Sequence, residues 1–429
     1  MTVQAILAIA VFVIAYVFIA TERIPRVAAA LGGAAIMLVV GATSADEAFF
    51  AEETGIDWNV IFLLFGMMII VGVLRQTGLF EYLAIWAAKR AGAKPYRVMV
   101  MLVLITAVAS AALDNVTTVL LVAPVTLLIC ERLGTNPVPY LLAEVMASNI
   151  GGAATLVGDP PNIIIASRAD LSFNDFLINM APIVVVLLAV FVVMCRFLFR
   201  RAFVYHADRA ERLMALHERE AITNSRLLRR SLGVLALVLA GFTLHSALHV
   251  EPSVVAMLGA GLLVAVSGLT SSKYLADVEW ETLVFFAGLF IMVGSLVNVG
   301  VIGQLGEIAT DAVGDNYLAA AIGLLFGSAV LSGLVDNIPY VATMAPLVGG
   351  LVAGSGGSPQ GVALWWALAL GADLGGNATA VGASANVVVT GIAARNGHPI
   401  SFWTFTKYGI VVTAVTVTLC LPYLWLRYY

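Results

Sequence analysis

The sequence predicts an all-α polytopic membrane protein built from two inverted repeats, and three observations support this prediction. Hydrophobic residues make up 61% of the 429 residues and charged residues 11%. The mean hydropathy of +1.00 indicates more apolar surface than a soluble core of this size can bury. Apolar runs of about 20 residues, long enough to cross a hydrocarbon core, recur along the whole chain. The twelve residues that begin at Gly151 reappear at Gly375, with seven of twelve identical.

The first repeat, residues 1–203, is predicted to contain five spans and one helical hairpin that enters and leaves the membrane on the same side. The amphipathic stretch 79–91, just before the hairpin, is predicted to lie along the membrane interface. The predicted spans are 4–20, 26–42, 58–75, 138–166 and 180–200, and the hairpin is 97–131.

The second repeat, residues 231–429, is predicted to follow the same order, with an interfacial stretch at 301–312. Because five spans is an odd number, this repeat begins on the opposite side of the membrane, which makes the repeats inverted. Residues 204–230 form a basic linker between them. The predicted spans are 231–248, 253–270, 281–300, 362–395 and 408–427, and the hairpin is 317–352.

The distribution of charge predicts the orientation. With both termini outside, twenty of the twenty-two Lys and Arg residues lie on the cytoplasmic side, as the positive-inside rule requires. Arg97 and Arg132, at the two ends of the first hairpin, are both inside only if this hairpin does not cross. The linker 204–230 is then cytoplasmic, and its basic residues fix topology rather than bind nucleic acid. The expected location is a prokaryotic inner membrane.

Carboxylates within apolar spans are costly, so an intramembrane Asp or Glu is a functional candidate by default. Asp114 and Asp336 lie at the two hairpin tips, where the backbone must leave the helix and is tolerated only around a cavity or an ion. Five side chains are candidates for proton or ion coupling: Asp114, Glu144, Asp159, Asp336 and Asp373.

Each hairpin tip places an asparagine directly after its aspartate. Asn115 and Asn337 each offer a neutral carbonyl and an amide, and Thr117 and Thr118 add hydroxyl groups to the first tip. Pro339 is predicted to break the helix at the second tip. These residues are expected to bind the substrate or to shape the backbone around it.

A second matched motif is predicted to break one span in each repeat near its middle. Pro160 and Pro161 cannot continue the preceding helix but can open a new one, with Asp159 as its N-cap. The new half-helix presents a positive dipole end that favours an oxyanion or an oxygen-rich solute. Gly382 and Ser384 are expected to make the matching break. The other residues assigned to the two breaks are Asn162, Thr379 and Asn386 for binding, and Gly151, Gly152, Gly158, Gly375 and Gly376 for close backbone approach or bending.

Several of these residues allow a second interpretation. Glu144 corresponds to Leu368 in the second repeat, so it is either a proton carrier or a protonated partner of a neighbouring helix. Gly151 and Gly152 alone are typical of helix packing in membranes. His245 lies four residues before a second histidine at the end of a span without a third ligand nearby, which favours an interfacial role. No metal site and no cofactor beyond a coupling H+ or Na+ is predicted.

The segments Leu113–Leu120, Ser148–Gly152 and Gly158–Ile163 together resemble the ion transporter superfamily, specifically its arsenite-permease and melanosomal P-protein group. The resemblance covers nearly the whole chain. It implies a fold that is usually dimeric, in which the hairpins and broken spans carry substrate past a scaffold by an elevator-like movement. It also implies that four asparagines line a central site for sodium or the transported solute: Asn115, Asn162, Asn337 and Asn386.

These features predict a secondary transporter rather than an enzyme. The first expectation is proton-coupled efflux of arsenite or antimonite, with a buried carboxylate that loads and releases the proton. A sodium/proton antiporter is the close alternative because the same oxygen ligands suit Na+. A sodium-coupled anion carrier or a P-protein-like anion channel is the third. The expected partners are the lipid bilayer, a small inorganic solute or ion, a second copy of the chain and, by analogy with some arsenite permeases, a soluble ATPase.

Overall fold

The computed structural model describes residues 2–21, 23–205, 207–215, 217–314 and 316–429. Two residues of the predicted linker, His206 and Leu216, therefore lie outside the described residues. Every regular element in the described ranges is a helix, which confirms the all-α class. Within those ranges, ten helices are long and apolar enough to cross a membrane by length and composition.

The first half begins at α1 and ends at α11. Its helices are α1 (Val3–Thr21), α2 (Arg26–Val39), α3 (Ala45–Phe50), α4 (Trp58–Arg75), α5 (Leu79–Arg90), α6 (Pro95–Ala112), α7 (Asn115–Leu133), α8 (Val138–Gly152), α9 (Pro160–Ala169), α10 (Phe173–Asn179) and α11 (Ala181–Leu198).

The second half follows the linker helix α12 (Ala207–Met214) and repeats this order with one exception. Its helices are α13 (Ser225–Leu248), α14 (Pro252–Ser267), α15 (Ser271–Leu275), α16 (Trp280–Asn298), α17 (Val301–Val313), α18 (Tyr317–Leu334), α19 (Asn337–Gly354), α20 (Pro359–Gly375), α21 (Ser384–Arg395) and α22 (Phe402–Tyr428). The described residues between α21 and α22 form no helix that corresponds to α10.

Most predicted spans coincide with a helix to within a few residues, but α13 begins inside the predicted linker. Its start follows from Asn224, whose Oδ1 accepts hydrogen bonds from the backbone N–H groups of Arg226 at 3.1 Å and Leu227 at 3.0 Å. The remaining linker is held against the first repeat, since Lys89 Nζ lies 2.6 Å from Glu218 Oε2.

The packing of the helices relates the two repeats by an approximate two-fold exchange. Helix α4 packs on α14 as α16 packs on α2, and α7 packs on α21 as α19 packs on α9. The hairpins and broken spans of both repeats therefore interlock at the centre. The orientation of each repeat relative to the bilayer stays a prediction.

Each hairpin consists of two helices joined at an aspartate that caps the second one. Asp114 accepts from the backbone N–H of Thr117 at 2.7 Å, and Asp336 accepts from that of Ile338 at 3.0 Å. The prediction for Pro339 was wrong, because this residue lies in the first turn of α19 rather than at the break. Backbone N–H groups in a first turn lack an intrahelical partner, so a proline fits there without ending the helix.

Two of the predicted glycines allow close contact between helices. A Cβ atom at Gly151 would lie 2.3 Å from the carbonyl oxygen of Ala107 on α6. A Cβ atom at the equivalent Gly375 would lie 2.6 Å from the carbonyl oxygen of Ala329 on α18. These glycines pack each broken span against its own hairpin, which brings the two breaks to the hairpin tips.

Candidate functional site

The carboxylate of Asp159 lies where the two hairpin tips meet. Asn115 on the first tip donates its side-chain amide to Oδ2 of Asp159 at 2.8 Å. Asn337 on the second tip donates its amide to Oδ1 of the same carboxylate at 3.2 Å. All three side chains are buried. One carboxylate of the first repeat thus joins the hairpins of both repeats.

Asp159 is free to bridge the tips because it does not cap α9. It occupies the N-cap position, as predicted, but its side chain bonds no backbone N–H of that helix. Pro160 and Pro161 remove the first two N–H groups, and the N–H of Asn162 bonds the backbone oxygen of Asp159 at 3.0 Å. The start of α9 therefore offers an anion fewer donors than the sequence analysis expected.

A chain of asparagine amides continues from this carboxylate across the repeats. Asn115 also donates to Oδ1 of Asn149 at 3.2 Å. Asn149 donates to Oδ1 of Asn377 at 2.9 Å and to Oδ1 of Asn386 at 3.1 Å. All of these asparagines are buried, so the network is shielded from solvent in this state.

An asparagine clamps the backbone in each broken span. Asn386 donates its amide to the carbonyl oxygens of Gly376 at 2.7 Å and Thr379 at 2.8 Å. Asn162 makes the equivalent bonds to Gly152 at 3.4 Å and Thr155 at 3.1 Å. The two asparagines thus satisfy carbonyl groups that the helix ends leave unpaired.

The glycines beside the clamps allow the two backbone segments that flank each break to lie close together. A Cβ atom at Gly152 would lie 2.5 Å from the oxygen of Gly158, and one at Gly158 would lie 2.4 Å from the oxygen of Gly152. In the second repeat, a Cβ atom at Gly382 would lie 2.8 Å from the oxygen of Gly376. Larger residues would separate the two halves of the span.

Asp373 lies in this network without a hydrogen-bond donor. It is fully buried on α20, and neither of its carboxylate oxygens has a partner among the described residues. The side chain of Asn162 lies beside it. Asp159 is close enough to Asp373, Asp336 and Asp114 for their negative charges to repel.

Arg26 reaches the second hairpin tip from the start of α2. Its Nη1 donates to Oγ of Ser384 at 2.7 Å and lies 3.6 Å from Oδ2 of Asp336. Ser384 itself donates to the same Asp336 oxygen at 2.9 Å. Arg26 is one of the twenty basic residues that the positive-inside rule assigned to the cytoplasmic side, and no local sequence pattern signals its contact with Ser384 and Asp336.

Glu279 lies just before α16, near the first tip. Burial and the negative charge of Asp114 raise its pKa to about 7, although the Thr282 hydroxyl, 3.0 Å from Oε2, and the charge of Arg26 act in the opposite direction. This carboxylate was not among the predicted site residues.

The predicted threonines differ in their surroundings. The backbone N–H of Thr117 donates to the capping carboxylate of Asp114, whereas Thr379 donates its hydroxyl to the carbonyl oxygen of Gly333 at 2.6 Å. Thr118 is buried, and its hydroxyl has no partner among the described residues. Of the three, only Thr118 therefore offers an unused polar atom inside the protein.

Glu144 lies away from the central network. Its Oε1 accepts from the Thr126 hydroxyl at 2.5 Å, while its Oε2 is buried without a described partner. The hydrogen bond from Thr126 on α7 agrees with the interpretation of Glu144 as a partner of a neighbouring helix. The same bond is compatible with the other interpretation, a proton carrier.

A cavity of about 740 Å³ opens beside the first broken span. Leu156 and Ile163, on either side of Asp159, line one part of it, and His245 and His249 line another. His245 accepts from the backbone N–H of Phe173 at 3.2 Å. Five carboxylates and one guanidinium, that of Arg168, line the cavity, and Arg168 donates to the backbone oxygen of Glu53. The excess of negative charge attracts cations and disfavours anions. The carboxylates are Glu52, Asp57, Asp170, Asp175 and Glu251.

No cluster of three or more His, Cys, Asp or Glu side chains in the described part of the chain is arranged to hold a metal ion. The three cysteines Cys130, Cys195 and Cys420 are buried, and none belongs to the network around Asp159. The site is therefore built from carboxylates, amides and hydroxyl groups. Asn377 was not among the predicted site residues, although its replacement of Ala153, in a motif with seven of twelve positions identical, was a usable signal.

Comparison with known proteins agrees with a membrane transporter. Residues 16–371 match the family model of the citrate transporters, CitMHS. An uncharacterized transporter of Mycobacterium tuberculosis is 59% identical over 426 residues, which cover 99% of each chain. The 46 kDa membrane protein of Mycobacterium leprae is 55% identical over 425 residues, again 99% of each chain.

More distant relatives confirm the resemblance noted from the motifs. The P protein of Homo sapiens is 32% identical over 499 residues, which cover 98% of this chain and 60% of the P protein. The crystal structure of the YdaH transporter of Alcanivorax borkumensis has the same fold, with a TM-score of 0.61 at 15% identity over 91% of this chain and 87% of that one. This chain is thus an integral membrane transporter and belongs to the citrate transporter family.

Proposed function

We propose that this protein is a cation-coupled secondary transporter, that Asp159 is its coupling carboxylate, and that its cargo carries no net negative charge. The observation that carries this proposal is the bridge at Asp159, whose two oxygens each accept an amide from a different hairpin. A proton or a Na+ ion on this carboxylate competes with the bridging amides, so ion binding changes how the two tips are held.

The charge around the bridge favours a cation as the exchanged species. Asp373, Asp336 and Asp114 all lie near Asp159. The guanidinium of Arg26 is already engaged by Ser384 and Asp336. The double proline removes N–H donors from α9, and the neighbouring cavity is lined with carboxylates. Sodium/proton exchange is therefore the activity that this site supports best.

Proton-coupled efflux of arsenite or antimonite is the second candidate, supported by the asparagine network. Asn149, Asn377 and Asn386 offer both donors and acceptors, which suit a neutral hydroxylated solute. Since the cysteines lie outside this network, such a solute would be bound through oxygen rather than sulfur.

Citrate, the substrate in the family's name, fits the site less well. A multiply charged anion would be repelled by the carboxylates around Asp159 and would gain contacts only to Arg26 and a few amides. A citrate complex with a bound cation would reduce this repulsion, so citrate belongs among the solutes to be tested.

The test uses the purified full-length protein in proteoliposomes that contain a pH-sensitive dye. Sodium, lithium, arsenite, antimonite and citrate are added one at a time at constant ionic strength, and protein-free liposomes serve as the control. Proton movement with sodium or lithium supports the proposal. Proton movement with arsenite or antimonite alone selects the second candidate, and a response to citrate alone would contradict a cargo without negative charge.

The arrangement of helices also supports an elevator-like movement. The interlocked hairpins and broken spans include α7, α9, α19 and α21, whereas Arg26 lies on α2, which packs on α16 outside this unit. The contact between Arg26 and Ser384 then joins the moving unit to the scaffold. We propose that this contact must break in each transport cycle.

A further inference from the structure

The two broken spans are clamped by equivalent asparagines, but the clamps differ in one hydrogen bond. In the second repeat, the clamp residue Asn386 receives the side-chain amide of Asn149 on its Oδ1 at 3.1 Å. In the first repeat, Oδ1 of the clamp residue Asn162 is buried and has no donor among the described residues. The residue equivalent to Asn149 in the repeat is Asp373.

Asp373 and Asn162 occupy the places that the hydrogen-bonded pair Asn149 and Asn386 occupies in the second clamp. Asn162 is the polar side chain that acts on the Asp373 carboxylate, yet neither oxygen of Asp373 nor Oδ1 of Asn162 has a partner in hydrogen-bonding geometry among the described residues. The amide nitrogen of Asn162 is already used by the carbonyl oxygens of Gly152 and Thr155. Exchanging the amide oxygen and nitrogen would leave those carbonyl groups unpaired, at the cost of a buried unsatisfied polar atom.

We propose that Asp373 is a proton-binding site and that its protonated carboxyl group donates to Oδ1 of Asn162. The bound proton turns the Asp373 carboxylate into a hydrogen-bond donor. The equivalent residue Asn149 is a donor at every pH because its side chain is an amide. With the proton bound, the clamp of the first repeat is complete like that of the second. After release of the proton, a carboxylate faces a carbonyl oxygen, and the clamp of the first repeat weakens.

This site differs from Asp159 in what the proton does. At Asp159, an added proton competes with amides that already bond the carboxylate. At Asp373, the proton supplies a missing hydrogen-bond donor and stabilises the segment between α8 and α9, which contains Asp159. Protonation of Asp373 therefore sets the position of the coupling carboxylate. The link to transport rests on the proposed function, whereas the hydrogen bond itself does not.

The other titratable groups around α20 form their hydrogen bonds with residues other than Asp373. Among the described residues, Asp159 provides the facing charge. The titratable side chains with assigned hydrogen bonds on the helices that pack against α20 all bond groups other than Asp373. On α8 these are Glu144 with Thr126 and Tyr140 with Pro95, on α9 Arg168 with Glu53, and on α19 Tyr340 with Ser328. On α22 they are Tyr423, Arg427 and Tyr428 with Asn179, and Cys420 with Thr416.

The test compares thermal unfolding of the purified full chain in one detergent across a range of pH. Asp373→Asn installs the permanent donor of the second repeat, so its Tm should exceed that of the wild type by an amount that grows as the pH rises, reaching at least about 2 °C. Asp373→Leu removes the donor and should have a lower Tm than Asp373→Asn at every pH. Asp311→Asn, an exposed substitution on α17, is the matched control and should follow the wild type.

The proposal is overturned if the profile of Asp373→Asn runs parallel to that of the wild type. It is also overturned if Asp373→Leu folds and Asp373→Asn does not, since an amide then cannot replace the group. Stabilisation of the wild type by Na+ at fixed alkaline pH, lost in Asp373→Asn, would show that a metal cation fills this place instead. If neither variant folds, the infrared spectrum of the wild type decides, because absence of a protonated carboxyl band at neutral pH contradicts the proposal. All these readouts are independent of transport.

Discussion

The side-chain amide of Asn337 lies 3.2 Å from Oδ1 of Asp159, although the two residues are 178 positions apart and belong to different repeats. Asn115 holds the other oxygen of the same carboxylate. The first broken span is therefore tied to both hairpins through one side chain. Any ion that binds Asp159 acts on both hairpins together.

Removal of either amide should weaken the fold, and removal of Asn115 should weaken it more. Asn337→Ala and Asn115→Ala each delete one buried hydrogen bond to Asp159, and a bond to a charged group typically contributes about 1.5–3 kcal/mol. Asn115→Ala also deletes the bond to Asn149. Because both bonds end on Asp159, their effects should not add in the double variant. Thermal unfolding of the two single variants and the double variant measures this coupling. Strict additivity would show that the two amides do not share a partner.

Alanine at Gly151 should destabilise the protein by about 1–3 kcal/mol, because its Cβ atom would lie 2.3 Å from the carbonyl oxygen of Ala107. Gly375→Ala should destabilise the protein by a similar amount, because its Cβ atom would lie 2.6 Å from the carbonyl oxygen of Ala329. Gly233→Ala on α13 is the matched control, since nothing lies within 4 Å of its new Cβ atom. Equal unfolding temperatures for Gly151→Ala and Gly233→Ala would disprove the close approach of α8 to α6.

Loss of the Arg26 side-chain charge should change transport more than stability. The ion pair with Asp336 is partly exposed, so Arg26→Gln should cost less than about 1 kcal/mol. If the contact with Ser384 joins the moving unit to the scaffold, this variant should alter the rate of flux in proteoliposomes. Arg23→Gln, an exposed neighbour, is the control. Identical flux in the two variants would remove Arg26 from the transport cycle.

Glu279 should make the protein less stable as the pH rises from about 4.5 to about 7. Its pKa is raised from 4.5 to about 7 in the folded protein, first by burial and then by the charge of Asp114. Between these values the folded state binds more protons than the unfolded state, so the free energy of unfolding falls with increasing pH. Glu279→Gln should flatten this part of the profile, whereas the exposed Glu281→Gln should not. A wild-type slope that persists in Glu279→Gln would assign the effect to other groups.

The helices and the central aspartates could be predicted because both depend on local properties of the chain. Apolar length defines a span, and a carboxylate such as Asp159 stands out in any apolar segment. Its bridging role could not be predicted, since Asn337 approaches only in the folded protein. The contact between Arg26 and Ser384, which are 358 positions apart, is hidden for the same reason.

Local rules also misled in two places, both at prolines. Pro339 looked like a helix breaker, but the break precedes it and the residue fits the first turn of α19. Asp159 looked like a helix cap, but Pro160 and Pro161 withdraw the N–H groups that a cap would bond. The repeat itself was more informative than either rule, since the exchange of Asn149 for Asp373 identifies the incomplete clamp.

The most direct test of the account is sodium-driven proton movement in proteoliposomes with wild-type protein, Asp159→Asn and the control Asp311→Asn. The wild type and Asp311→Asn should move protons on addition of sodium. Asp159→Asn, which keeps the shape of the side chain and loses its charge, should fold but show no coupled proton movement. Undiminished proton movement in folded Asp159→Asn would contradict the assignment of this carboxylate as the coupling group.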